Sequence, residues 1–299
     1  MNTCCLYKIK CVYSRLLILN FIHPKVKFDI MKYNNKMKTD FDSSLTEYYK
    51  NYSPIRVEIK PYFGNKHGRY MNIYNYEKKY IRVFFDNKEE LNYKQWLVNG
   101  EKVNKITLYY SHKFENYVIF KNCDNINIKI NNNGRNNFDE FSDLFFGCNH
   151  LVELDLGNVD SSNVIIMQNM FRDCFALKKL NLNCLNTERV TDMSNMFSSC
   201  NSLEELNIDN FNTKNVIYMN SMFSDCKSLM YLNLNHFNTN KVMNFRCMFY
   251  NCINLIELNI NNFVIKANAD CECMFSNIPL PLKNYIKFRY KNIPNNAFY

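Results

Sequence analysis

The sequence predicts an α/β solenoid: a stack of about five to six 26-residue strand–helix repeats behind an N-terminal α+β cap. Three observations predict it. Six Phe residues fall 26 apart, at Phe145, Phe171, Phe197, Phe223, Phe249 and Phe275. Five Cys keep the same step (Cys148, Cys174, Cys200, Cys226, Cys252). Met170, Met196, Met222, Met248 and Met274 sit just before their Phe, and Leu144 takes that place in the first copy. A period of this length held through successive copies is the signature of a repeat array.

Each repeat divides into two elements. Leu-x-x-Leu-x-Leu, as in Leu177, Leu180 and Leu182 or Leu229, Leu232 and Leu234, ends in period-2 alternation. That suits a short strand with one buried face. A polar turn with Asn follows, then Phe211, Phe237 or Phe263, then a small hydroxyl residue: Ser161, Thr187, Thr213 or Thr239. Val190, Met193, Met196, Phe197 and Cys200 come next, at offsets 0, 3, 6, 7 and 10. These offsets share one face of a helix, although the Val end could equally be extended. Each copy therefore reads as one strand and one short helix. A single copy cannot bury its apolar face alone, so stability should come from its neighbours.

Met-Phe-x-x-Cys-x-x-Leu-x-x-Leu-x-Leu, with Asn-Phe-Asn-Thr and Val-x-x-Met between copies, resembles the BspA-like leucine-rich-repeat surface protein family. The resemblance covers residues 138–275 and implies a leucine-rich-repeat-like stack. It carries no catalytic motif over to this chain. Positions 264–270 lose the Thr and Val of the repeat, so the last copy is degenerate. Surface members of that family carry an export signal and an anchor. Residues 1–22 superficially suggest a signal peptide, but the apolar core is interrupted by Asn20 and no small-x-small site follows. Met31 and Met37 are plausible alternative starts.

The regions outside the repeats read differently. Residues 1–53 form a poorly ordered lead-in. Within 54–137, Ile55–Ile59, Tyr80–Phe85, Lys105–Tyr110 and Tyr117–Phe120 read as strands, and Asn87–Val98 as a short helix. Phe120-Lys-Asn-Cys123 repeats the Phe-x-x-Cys spacing and is followed by Ile126, Ile128 and Ile130, a degenerate first repeat. Residues 54–137 are thus a small α+β domain or an N-terminal cap; the cap is favoured because a solenoid end must be covered. Residues 276–299 read as a C-terminal cap or tail, with Pro279 and Pro281 blocking a continued ladder or helix.

Charge is uneven. The net of +9 hides an acidic repeat region, with 9 Lys+Arg against 16 Asp+Glu over 138–275, between basic ends. Residues 1–137 hold 24 Lys+Arg against 12 Asp+Glu, without a dense basic run. Nucleic-acid binding through that region is a secondary reading. No run reaches the roughly 20 apolar residues that span a bilayer. Thirteen Cys, an odd count with five on one repeat face, argue against a disulfide framework. Successive repeat Cys should lie about 5 Å apart, where a disulfide is conceivable. A column of buried free thiols is the preferred reading, which favours a reducing, cytoplasmic compartment over a secreted one. Cys271-Glu-Cys273 has no second pair nearby and is read as no metal site.

No catalytic, cofactor-binding or metal site is expected. The five His have no paired ligand spacing, and His150 and His236 read as surface residues. Glu204 and Glu205 are neighbours expected to point to opposite faces of a strand. The candidate functional surface is the solvent side of the strand ladder: Glu153, Asp155, Lys179, Asn181, Glu205, Asn207, Tyr231, Asn233, Glu257 and Asn259. One of its columns is Asp then four Asn, whose stacked amides could bridge from coil to coil. The other varies and is available to a partner. The chain is therefore expected to be a monomeric, non-enzymatic protein-interaction module whose partner is a protein. A secreted or surface adhesin is the alternative that the family resemblance implies.

Overall fold

The computed structural model describes residues 55–61, 68–71, 81–90, 96–97, 103–110, 120–123, 125–132, 138–157 and 159–299. The chain divides into two compact units, Met1–Ser53 and Pro54–Tyr299. The first, where the sequence suggests a loose lead-in, lies outside the described residues.

The second unit begins with an antiparallel sheet. Its strands are β1 (Ile55–Pro61), β3 (Ile81–Phe85), β4 (Lys88–Glu90), β6 (Ile106–Tyr110) and β7 (Asn125–Asn132); a short β2 (Gly68–Arg69) pairs separately with β5 (Trp96–Leu97). Register places Val83, Leu108, Val57 and Ile130 side by side, and Phe85, Ile106, Ile59 and Ile128 in the next row. These rows form the inner face. The opposite face mixes charge with buried aromatics: Lys105 lies 2.9 Å from Glu58 and Arg82 pairs with Glu89, beside Phe84 and Tyr109, whose buried rings meet edge to face at 5.4 Å. Where a helix is expected over 87–98, the described residues 88–90 and 96–97 are strands. Asp86 and Asn87 take φ of 47° and 73°, and their turn reverses the chain from β3 into β4. Two consecutive left-handed residues suit a tight hairpin and cannot begin a helix. Phe120, expected at a strand end, lies in a turn; residues 117–119 lie outside the described set.

β7 then pairs in parallel with β8 (Glu153–Asp155), so the antiparallel sheet continues directly into the repeats. The later coils contribute β9 (Lys179–Asn181), β10 (Glu205–Asn207), β11 (Tyr231–Asn233) and β12 (Glu257–Asn259). β9 pairs with β10 and β11 with β12, both parallel and 26 residues apart in register. A second line of parallel bridges joins Glu140, Ile166, Asp192, Tyr218, Asn244 and Asp270. The Phe rings stack face to face along the axis, from Phe120 on Phe145 at 5.6 Å to Phe249 on Phe275 at 5.5 Å. The segment holding Phe120 and Cys123 is thus the first coil of the stack.

The expected helix in each repeat is replaced by a run of tight turns. Around Phe197, the N–H groups of Met193, Asn195, Phe197 and Ser199 donate to Tyr218, Asn220, Met222 and Ser224 of the next coil at 2.8–3.0 Å. The intervening N–H groups of Met196, Ser198 and Cys200 donate to carbonyls three residues back, at 3.1–3.3 Å. Asn195 and Ser199 have φ of 54° and 61°, and the equivalent pair recurs in each coil from Asp143/Gly147 to Cys273/Asn277. Left-handed residues every fourth position exclude an α-helix. They turn alternate N–H groups outward to the neighbouring coil, so every backbone donor finds a partner. Val190, Met193, Met196, Phe197 and Cys200 nonetheless all point inward, each fully buried.

The far end is closed by the chain itself. Pro279 and Pro281, expected to block a helix, instead start one: α1 (Leu280–Arg289) carries Pro281 in its first turn. No intrahelical N–H is needed there, and the fixed φ of proline suits the helix. After α1 the chain returns to the last coil. Cys273 and Phe275 donate to Asn296 and Ala297 at 3.0 and 2.6 Å, and Phe298 stacks on Phe275 at 5.4 Å. A stack of parallel coils has an open edge at each end; here β1, antiparallel to β7, covers one, and residues 295–298 take up N–H groups of the last coil at the other.

Candidate interaction face

The strands β8–β12 present one solvent face, and the sequence-derived candidates occupy it. Glu153, Asp155, Lys179, Asn181, Glu205, Tyr231, Asn233 and Glu257 are exposed, while Asn207 and Asn259 are half-buried. Leu180, Leu232 and Leu258 between them point into the core, as the pleat requires.

The Asn column does not bridge the coils. Asn181, Asn207, Asn233 and Asn259 each accept, through Oδ1, the N–H two residues on in their own coil, at 3.1–3.3 Å. Asp155 does the same with Gly157 at 2.8 Å. These are Asx turns, which bend the chain out of each strand. Other Asn residues join the coils: Asn210 Nδ2 donates to Leu185 O, and Asn262 Nδ2 to Asn235 O. The variable column does carry contacts between coils. Asn127 donates to Glu153, and Lys179 pairs with Glu205. The Lys179 ammonium is held above its ordinary pKa by that hydrogen bond and the Glu205 charge. In the neighbouring column Lys129 lies 2.7 Å from Asp155 and, with the Gly157 N–H, holds that carboxyl below its ordinary value.

A third column escapes the sequence reading. Val152, Lys178, Glu204, Met230 and Ile256 precede the strands and are all exposed. Glu204 and Glu205 both donate their N–H to the Lys178 carbonyl, at 2.8 and 3.1 Å. Ile256 and Glu257 do the same to Met230. Two residues facing one carbonyl bulge the strand entry, so Glu204 and Glu205 both reach solvent and are not split between faces. A signal was present: Met230 and Ile256 are apolar at a position where other copies carry Lys178 and Glu204.

The face is thus of two kinds. Over β8–β10 lies an open groove of about 670 Å³ lined by Glu153, Lys178, Lys179 and Glu205. Over β11 and β12, Met230, Tyr231 and Ile256 are 42%, 60% and 60% exposed. A second depression, of about 530 Å³, runs from Ile256 and Glu257 to Tyr285 and Tyr290 of the C-terminal segment. His236 is exposed and its Nε2 lies 3.1 Å from Ile208 O; His150 is half-buried. Among the described residues, no three His, Cys, Asp or Glu are grouped to hold a metal. No described helix is long and apolar enough to cross a membrane.

Coils stacked in register, with one exposed strand face, define a solenoid repeat protein. Family models match residues 81–180, 113–205 and 167–287, and the chain belongs to the family described as "Mycoplasma protein of unknown function, DUF285". Among solved structures it is similar to the leucine-rich-repeat protein of T. pallidum (TpLRR), at 24% identity and a TM-score of 0.35. That match covers 49% of this chain and 64% of the other, less than two thirds of its length. No curated protein matches the chain.

Proposed function

We propose that this chain is a non-enzymatic protein-interaction module of the BspA-like leucine-rich-repeat kind, which binds a protein partner across the face of β8–β12. The observation that carries the reading is the cluster Met230, Tyr231 and Ile256, exposed on two adjacent coils beside Glu204, Glu205 and Glu257. Exposed aromatic and aliphatic residues ringed by charge are the composition of an interaction patch. A partner suited to it carries apolar side chains flanked by Lys or Arg. Four cations at the N-terminal sheet are already engaged by carboxylates, Arg56 and Lys105 with Glu58, Arg82 with Glu89 and Lys129 with Asp155, which supports this reading over nucleic acid, although Lys60 and Lys88 stand exposed.

A photo-crosslinking residue at position 231 tests the proposal. It should trap a protein, and Ile256→Asp or Glu205→Ala should reduce that trapping without lowering the melting temperature, since both side chains are exposed. The same residue at Lys241, exposed outside the strand face, should trap nothing. Equal trapping from both positions, or none from position 231 in cell extract, removes this face as the binding surface.

A further inference from the structure

We propose that Cys247 and Cys273 form a reversible dithiol–disulfide site on the last two coils. Both occupy one column of left-handed residues, which runs Asp143, Asn169, Asn195, Ser221, Cys247 and Cys273 with φ between 54° and 58°. Asn and Asp adopt this conformation more readily than Cys does. Polar residues fill the column in the first four coils, so its geometry does not call for a thiol. Yet two successive coils carry one. Both are half-exposed, unlike Cys148, Cys174, Cys200, Cys226 and Cys252 on the inner face.

The coils bring the two thiols together. Cys247 N donates to Glu272 O at 2.9 Å, and the neighbouring rings Phe249 and Phe275 stack at 5.5 Å. A disulfide spans Cα atoms about 4.4–6.8 Å apart. Burial and the neighbouring Cys273 thiol both raise the Cys247 thiol above its ordinary pKa, and Cys273 Sγ donates to the Tyr299 backbone oxygen at 2.8 Å. The pair therefore sits where the returning C-terminal segment docks. Cys184, by contrast, is exposed, with no second thiol beside it among the described residues.

The oxidant is a low-molecular-weight disulfide such as oxidised glutathione. One thiolate attacks a glutathione sulfur, forms a mixed disulfide and releases one glutathione thiolate. The second thiolate attacks the protein sulfur of that mixed disulfide and releases the other. The protein loses two protons and two electrons, and glutathione disulfide gains the electrons. The bond staples coils that are otherwise held by hydrogen bonds and packing, at the end where a solenoid frays first.

The full chain is incubated with oxidised glutathione, alkylated and digested with trypsin. Cleavage after Arg246 and Lys266 should yield residues 247–266 joined to the peptide that begins at Ala267. The joined species should disappear with dithiothreitol and be absent from Cys247→Ser and Cys273→Ser. Serine at position 221 already occupies the same column, so these variants should fold, as circular dichroism checks. In Cys252→Ser the joined species should persist. Separate glutathione adducts on Cys247 and Cys273, or unmodified thiols at both while Cys184 is glutathionylated, overturn the proposal. So does a joined species that survives Cys247→Ser.

Discussion

Cys226 Sγ donates a hydrogen bond to the carbonyl oxygen of Phe197, one coil back, at 3.2 Å. Cys148, Cys174, Cys200 and Cys252 repeat the contact with Phe120, Phe145, Phe171 and Phe223, at 2.9–3.2 Å. Each of these thiols fills a buried niche and gives its single donor to a carbonyl that also accepts a local N–H, as Phe197 O does from Cys200 at 3.1 Å. Cys226→Ala removes both the packed sulfur and the donor but orphans no backbone group. It should lower stability by about 2 kcal/mol in urea unfolding, whereas Cys184→Ala, at an exposed position, should change it by less than about 0.5 kcal/mol.

The same column makes the protein sensitive to alkali. Burial pushes the thiols of Cys200 and Cys252 from 9.0 up to about 12, and Cys174 and Cys226 are raised as well. The folded chain keeps these protons, while the unfolded chain loses them above pH 9. Their contribution is therefore complete below pH 9 and declines as pH rises towards 12. Each such thiol should steepen the fall by about 1.4 kcal/mol per pH unit in that window. Denaturant midpoints measured from pH 8 to 11 should drop more gently in Cys200→Ala than in the parent chain.

A second column satisfies buried backbone through a hydroxyl. Thr213 Oγ1 donates to Asn238 O at 3.0 Å and accepts from Asn238 N at 2.7 Å. Ser161, Thr187 and Thr239 do the same for Asn186, Asn212 and Val264. The bond engages only backbone atoms of the next coil, so it survives at Val264 where the last repeat loses its sequence pattern. Thr213→Val keeps the shape and leaves an N–H and a C=O of Asn238 unpaired against the buried position 213. It should destabilise by about 2–4 kcal/mol, since each orphaned group costs about 1–2 kcal/mol. Thr213→Ser, which restores the donor and acceptor found at Ser161, should cost less than half of that in the same unfolding assay.

What the sequence conveyed follows from what sets each feature. The 26-residue step and the inward direction of Met222, Phe223 and Cys226 were legible, because burial fixes them and burial writes itself as hydrophobic periodicity. The backbone between Val216 and Cys226 was not, because offsets of 3, 3, 1 and 3 suit a helix face and a run of tight turns equally. The deciding information lay in the polar residues: Asn169 and Asp173, like Asn195 and Asp225, are of the types that tolerate positive φ. On the candidate face, alternation correctly exposed Glu205 and Tyr231. It missed Met230 and Ile256 because strict alternation assigns their position to the inner face, and the shared carbonyl that bulges the strand entry turns it to solvent; the change from Lys178 and Glu204 to apolar residues was the sign that remained.

The left-handed positions give a prediction of opposite signs at two sites. Ser221 has φ of 54° and Gly147, at the second left-handed position of its coil, φ of 71°. A side chain at such a φ costs about 1–2 kcal/mol relative to the right-handed form, and glycine escapes most of that at the expense of a more mobile unfolded chain. Ser221 is half-buried, so Ser221→Gly should raise stability by about 0.5 kcal/mol. Gly147→Ala adds a Cβ 2.0 Å from Asn122 Oδ1, which must swing aside, and also carries the backbone penalty. It should lower stability by about 1–2 kcal/mol, and the loss should be visible as faster hydrogen exchange in the coil joining β7 to β8. Equal and small effects at both sites would mean that the turn run relaxes to accept either residue.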